Sequence, residues 1–129
     1  MNLLMPIIEK SEIHKTWSIS DFNRLFYPPI NKGYFTLTTD GEQITGLATY
    51  GFFSEEAYEG YRTLTRKIQP EDFDSGDIIV LVDVLAPFGT AAEILAQLRK
   101  ELRAKGHKGK YINYFRLYLD SRVEKRTMI

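Results

Sequence analysis

Residues 75–89, SGDIIVLVDVLAPFG, constrain the fold more than any other stretch of the chain. A turn leads into a strand too apolar to face water, and the loop Pro87-Phe88-Gly89 then opens a helix near Thr90 or Ala91. Strand, tight loop and helix in that order are where α/β proteins hold ligands. Alternation along a strand puts Ile78, Val80, Val82 and Val84 on one face and Ile79, Leu81, Asp83 and Leu85 on the other. Asp83 is thereby set among aliphatic neighbours. Burying an unpaired carboxylate costs several kcal/mol, so Asp83 requires a fixed partner. Two readings stay open at this point: a carboxylate serving a site at the C-terminal end of the strand, or a structural carboxylate paired with backbone or Arg.

The rest of the chain supplies elements to pack around that strand. Ile13 and Trp17 are spaced i, i+4 and anchor one face of a short N-terminal helix, with His14 beside the anchor. Ser18 or Ser20 caps a second short helix through Asp21, Phe22, Leu25 and Phe26, which Pro28-Pro29 is expected to end. After Gly33 come a β-rich run over 34–39, an Asp40-Gly41 hairpin signal, and an answering strand over 43–53 with Gly46 and Gly51 inside it. Ser54 caps a helix on which Tyr58, Tyr61, Leu64 and Ile68 recur at helical spacing, stopped by Pro70. The strongest helix follows the central strand: Ala91, Ile94, Leu95, Leu98 and Leu102 form its stripe, basic residues load its C-terminal end, and Gly106 terminates it. Residues 111–119 alternate as a last strand, and residues 120–129 read as a frayed polar tail. The order α-α-β-β-α-β-α-β, over a single domain of residues 1–129, matches an α/β (α+β), N-acetyltransferase-like mixed sheet flanked by helices.

The formal charge balances at 17 basic against 17 acidic residues, but its distribution does not. Residues 36–83 hold ten acids and three bases, whereas residues 99–129 hold ten bases and three acids. A basic C-terminal third attracts a polyanion or an acidic protein, against the default that each charge belongs to a solvated face. No cysteine is present, so disulfides, thiolate metal sites and a cysteine nucleophile are excluded and a reducing cytoplasm fits. No apolar run approaches the length of a membrane span. His or Asp clusters at metal-ligand spacing and a Walker loop are also missing.

Three stretches carry a resemblance to a known family: Ser11-x-x-His14-x-x-Trp17, the hairpin over 34–48, and Ser75-Gly-Asp77 followed by Asp83-x-x-Ala86-Pro87-Phe88-Gly89. In that order and spacing the chain resembles the toxin-activating lysine-acyltransferases, the hemolysin-activating family that matures RTX toxins, and reads as a short member of it. The resemblance implies an N-acetyltransferase-like fold and transfer of a fatty acyl group from acyl carrier protein, not coenzyme A, to an internal lysine of a protoxin-like protein. It places the family's catalytic His and Asp on His14 and Asp83, with Ser11 as an auxiliary that serves equally well as a helix cap. The donor's phosphopantetheine thioester is then expected against Phe88, Gly89 and Thr90. Its acidic carrier is expected on a basic cluster that includes Arg99, Arg103 and Lys108.

Elementary chemistry supports that assignment. Aminolysis of a thioester needs a neutral amine, yet a free lysine ionises at about 10.4, so a base working near neutrality must take the proton. Histidine is the natural choice, and only His14 and His107 exist. His107 lies in a basic turn where neighbouring positive charge opposes protonation, and reads as a surface residue. Ser11, His14 and Asp83 as a nucleophile set is the weaker arrangement, because no Gly-x-Ser-x-Gly elbow is present. Two alternatives remain. One is an N-acetyltransferase using acetyl-coenzyme A. The other is a non-catalytic basic module, whose Tyr111, Tyr114, Phe115 and Tyr118 could stack nucleic-acid bases, although strand packing explains them more simply. The acceptor protein, acyl chain length and oligomeric state, including a homodimer, are left open.

Overall fold

β1 (Phe35–Asp40) and β2 (Gln43–Phe53) form the hairpin that starts the sheet, with Asp40 paired to Gln43 across a two-residue loop. Gly41, with φ of 63°, takes the first loop position, where an L side chain would be strained. In this computed structural model, which describes residues 10, 14, 17–87, 89–117 and 121–129, three more strands follow. They are β3 (Ile78–Leu85), β4 (Tyr111–Leu117) and β5 (Arg122–Met128), and the sheet order is β1-β2-β3-β4-β5. All neighbours are antiparallel except β3 and β4, which are parallel. A parallel pair needs a crossover, here the helix α3 (Ala91–Leu102) with a further turn over Arg103–His107.

Helices cover both faces, giving the expected mixed sheet flanked by helices. On one face Ile94, Leu98 and Leu102 of α3 are fully buried against Ala48, Tyr50, Ile79 and Leu81. Each such aliphatic side chain contributes about 1.5–3 kcal/mol of gross burial. Gly46 lies directly beneath this helix, where a Cβ would come within 2.8 Å of Ile94 Cγ1. The glycine therefore marks a close approach. The opposite face carries α1, a helical run over 19–32 that packs Phe26 on Leu47 and Leu85, and α2 (Glu55–Thr63), which packs Ala57 against Phe53 and Val80.

Four expectations are corrected. Pro28-Pro29 does not end α1. A π-helical turn, Phe22–Phe26, intervenes, and the prolines become the first-turn residues of the segment Tyr27–Lys32, where missing N–H donors cost nothing. The helix ends instead at Gly33, left-handed at φ 77°. Ser54 caps α2 as expected, accepting from the Ala57 N–H at 3.1 Å. That helix stops at Thr63, however, with Leu64 left-handed and 72% exposed, so Leu64 and Ile68 are not on its buried stripe. Arg66 pairs with the buried Asp72 through both carboxylate oxygens at 2.8 and 2.9 Å, and that clamp fixes the connecting loop.

The third correction concerns β3. Thr49 pairs with Asp83 but Tyr50 pairs with Leu81, so Val82 is an extra residue and alternation slips by one. Ile79, Leu81 and Val84 accordingly pack toward α3, while Val80, Val82 and Leu85 pack on the opposite face. Lastly, the residues read as a frayed tail form β5 along all of β4, and Ile129 is only 4% exposed in the main core.

Candidate active site

Asp83 sits at the β3 bulge, opposite Thr49 in the β2–β3 ladder. Residues directly opposite share a face, and odd-numbered β2 residues such as Leu47 and Phe53 pack on the α1 and α2 side. The bulge therefore turns the carboxylate away from α3 and toward the N-terminal segment. There it meets His14, whose Nε2 lies 2.6 Å from Asp83 Oδ2. The His14 side chain is 1% exposed and that of Asp83 12%. The sequence expectation of a fixed partner for Asp83 is met by this contact. Trp17 holds the imidazole, its ring packing on it at a 45° tilt with centroids 4.6 Å apart and its backbone N–H donating to the His14 carbonyl at 3.2 Å. Trp17 in turn packs on Phe22, and Phe22 on Phe26, so an aromatic row runs from the dyad into α1.

β3 and β4 are registered only at Ile79–Ile112 and Val80–Asn113. Beyond those pairs a cleft of about 640 Å³ opens between Leu81–Val84 and Tyr114–Arg116. It reaches both faces of the sheet: Ala91, Ile94 and Leu95 of α3 line one end, and Tyr61 of α2 lines the other, with Asp83 on the wall. A cleft outside the C-terminal ends of parallel strands, next to a helix N-terminus, is the position at which open α/β sheets bind ligands.

The remaining expected site residues are not gathered at the dyad. Ser11 and Phe88 lie outside the described residues. Gly89, at φ 77°, closes a turn by donating its N–H to the Ala86 carbonyl at 3.1 Å. Thr90 occupies the N-cap of α3, but its hydroxyl donates to the Thr45 carbonyl at 3.4 Å and does not cap the helix. Arg99, Arg103 and Lys108 lie at the far end of α3; Arg103 is about 18 Å along the axis from Ala91 at ~1.5 Å per residue. Arg103 and Lys108 are exposed, whereas Arg99 is half-buried with its Nε buried and unpartnered among the described residues. His107 is less of a surface residue than expected: its ring packs on Phe52 at 5.4 Å. Burial first, then Lys110 and Lys105, hold its pKa below the ordinary histidine value, as its basic turn suggested.

Tyr61, Phe115 and Arg122 went unrecognised as site residues in the sequence. Sequence pattern alone sets Tyr61 on a helix stripe, Phe115 in strand packing and Arg122 in the tail. Tyr61 and Phe115 line the α2 end of the cleft and Arg122 packs behind them: Phe115 meets Tyr61 edge-on at 5.1 Å, and the Arg122 guanidinium lies 3.7 Å above the Phe115 ring. Burial, and secondarily the charge of Asp83, raise the Tyr61 pKa, while Arg122 opposes the rise. No helix among the described residues is long and apolar enough to cross a membrane.

Known proteins are similar to this chain in sequence over most of its length. The lysine-acyltransferase RtxC of Vibrio cholerae is 25% identical over 101 residues, which is 77% of this chain and 65% of that protein. The RTX-II toxin-activating lysine-acyltransferase ApxIIC of Actinobacillus pleuropneumoniae is 29% identical over 91 residues, covering 70% of this chain and 56% of its own length. The protein-lysine myristoyltransferase RtxC of Kingella kingae is 30% identical over 91 residues, 70% of this chain and 54% of that protein. The chain thus spans between about half and two thirds of the length of these relatives. A family profile matches far more of it, from residue 3 to residue 127, and on that match the chain belongs to the RTX toxin acyltransferase family.

Proposed function

We propose that the protein is a cytoplasmic protein-lysine acyltransferase of N-acetyltransferase-like fold. It moves a fatty acyl group from the phosphopantetheine thioester of an acyl carrier protein to the ε-amine of an internal lysine in a protoxin-like partner. The observation that carries this reading is the 2.6 Å contact between the buried His14 and Asp83, the latter of which lines a largely apolar cleft. When Nε2–H donates to Asp83, the basic lone pair of the imidazole is left on Nδ1. At neutral pH only about one free lysine in a few thousand is uncharged. It is this neutral amine that attacks, and a base that accepts its proton as the C–N bond forms lowers the barrier to that attack. Asp83 fixes the tautomer and stabilises the imidazolium. The C–S bond then breaks, and the proton held by His14 passes to the departing sulfur, leaving an amide and a thiol.

The cleft suits the donor. Leu81, Val84, Leu95 and Tyr114 offer an apolar wall for an acyl chain. Thr90 leaves the first-turn N–H groups of α3 without a side-chain cap, and such groups favour phosphate. The exposed basic residues Arg103 and Lys108, with Arg99 beside them, then face the acidic carrier. A fatty acyl group loaded on carrier protein or on coenzyme A, incubated with the enzyme and a candidate acceptor, distinguishes the donors by intact mass. Acylation from the carrier is expected. Acylation from coenzyme A alone makes the protein a coenzyme A-dependent transferase instead.

A further inference from the structure

Reaction at a thioester carbonyl places negative charge on oxygen before sulfur leaves, and the dyad supplies no donor for it. We propose that the Tyr61 hydroxyl, at the end of the cleft formed by α2, donates a hydrogen bond to the thioester carbonyl oxygen as that oxygen becomes an oxyanion. The inference rests on the acyl-transfer reading and assigns it one further catalytic residue.

Three independent features fix Tyr61 for this role. It lines the same cleft as Asp83. The ring is held on several sides, by Phe115 edge-on at 5.1 Å and 88°, by Phe53 at 6.4 Å, and by the Arg122 guanidinium 4.8 Å from its centroid. The backbone is held as well: Arg122 donates to the carbonyls of Tyr61 and Arg62, both at 3.0 Å, in the last turn of α2. A donor fixed in this way costs no reorganisation when charge develops. Arg122 acts as a positioning residue and brings a positive charge to the same end of the cleft.

The chemistry selects oxygen over sulfur as the acceptor. A thiol ionises near about 8.5 and a phenol near about 10, and burial raises Tyr61 further. A leaving thiolate is therefore too weak a base to take the phenolic proton. The tetrahedral alkoxide is a much stronger acceptor, and Tyr61 serves it as a neutral donor that keeps its proton. Electrons balance without it: the amine lone pair forms the C–N bond, and the carbonyl π pair moves to oxygen. The ammonium proton goes to His14, the carbonyl reforms, and the C–S pair departs on sulfur to receive that proton.

Tyr61→Phe removes the hydroxyl and keeps the ring. In the full chain, with acyl carrier protein as donor, kcat should fall ~10²–10³-fold. The KM for the donor should stay within about twofold and the melting temperature within about 2 °C, as for a contact made only in the transition state. A variant with parental kcat, or one in which only KM rises, overturns the role of Tyr61 and leaves acyl transfer standing. A parent protein that transfers no acyl group overturns both.

Discussion

Asp83→Asn separates the catalytic from the structural reading of the dyad. Before reaction, asparagine can still accept the His14 Nε2–H through its amide oxygen, so the contact at 2.6 Å loses charge but not its partner. The difference between a charge-assisted and a neutral hydrogen bond is about 1–2 kcal/mol, offset by no longer desolvating a carboxylate that is 12% exposed. Stability should therefore change by less than about 2 kcal/mol. The transition state is another matter, because there His14 carries a full positive charge. With charge centres about 4 Å apart and an effective dielectric constant of about 20, the lost attraction is ~4 kcal/mol, which corresponds to a rate lower by ~10³-fold. Thiol release from acyl carrier protein, followed with saturating acceptor, reads the rate. A thermal melt of the same preparation reads the stability. Parental turnover would refute the catalytic assignment of Asp83, and inactivity accompanied by gross destabilisation would return the residue to a structural role.

Other parts of the account can be tested independently. Gly46→Ala puts a methyl 2.5 Å from Thr38 Oγ1 and 2.8 Å from Ile94 Cγ1, and should cost about 1–3 kcal/mol in a denaturant titration through overpacking; an unchanged midpoint would mean that α3 does not approach β2 there. The His107 pKa is lowered in the fold by burial and by Lys110 and Lys105, so the unfolded chain binds more protons just below the ordinary value of about 6.5. The stability contribution is then complete above that pH and is lost as pH falls through the folded value. His107→Gln should reduce the difference in melting temperature between pH 8 and pH 5, and an unaltered difference would contradict the assignment. Arg103→Glu combined with Lys108→Glu should raise the KM for acyl carrier protein, weaken its salt dependence and spare kcat, because exposed charges beyond about 8 Å are screened at physiological ionic strength. Unchanged KM and salt dependence would move carrier docking elsewhere.

What was legible in the sequence was what local chemistry dictates. Gly41 can take a left-handed loop position and so marks the hairpin. Ser54 presents a hydroxyl to the Ala57 N–H, and the i, i+4, i+8 spacing of Ile94, Leu98 and Leu102 can be buried in only one way. The requirement that Asp83 have a partner came from the cost of burying a charge, and His14 meets it. What escaped depends on long-range pairing. The slip at Val82 arises from β2–β3 register, so strict alternation grouped Asp83 with Leu81 on the wrong face. Pro28-Pro29 looks like a stop signal unless a π-helical turn precedes it. β5 reads RVEKRTM, mostly charged and exposed, because an edge strand guards its free side with charge and not with an apolar stripe. Missing that strand also hid Arg122, and with it the geometry that sets Tyr61 in the cleft.

The linkage formed on the acceptor tests the central claim most directly. After incubation of enzyme, acyl-loaded carrier protein and acceptor, fragmentation mass spectrometry of acceptor peptides should locate the fatty acyl group on a lysine ε-amine. The amide should resist alkaline hydroxylamine, which cleaves oxygen esters as well as thioesters, and be absent when His14→Ala replaces the parent enzyme. A hydroxylamine-labile acyl group on Ser11, or lysine acylation at the parental rate by His14→Ala, would contradict direct transfer with His14 as the base.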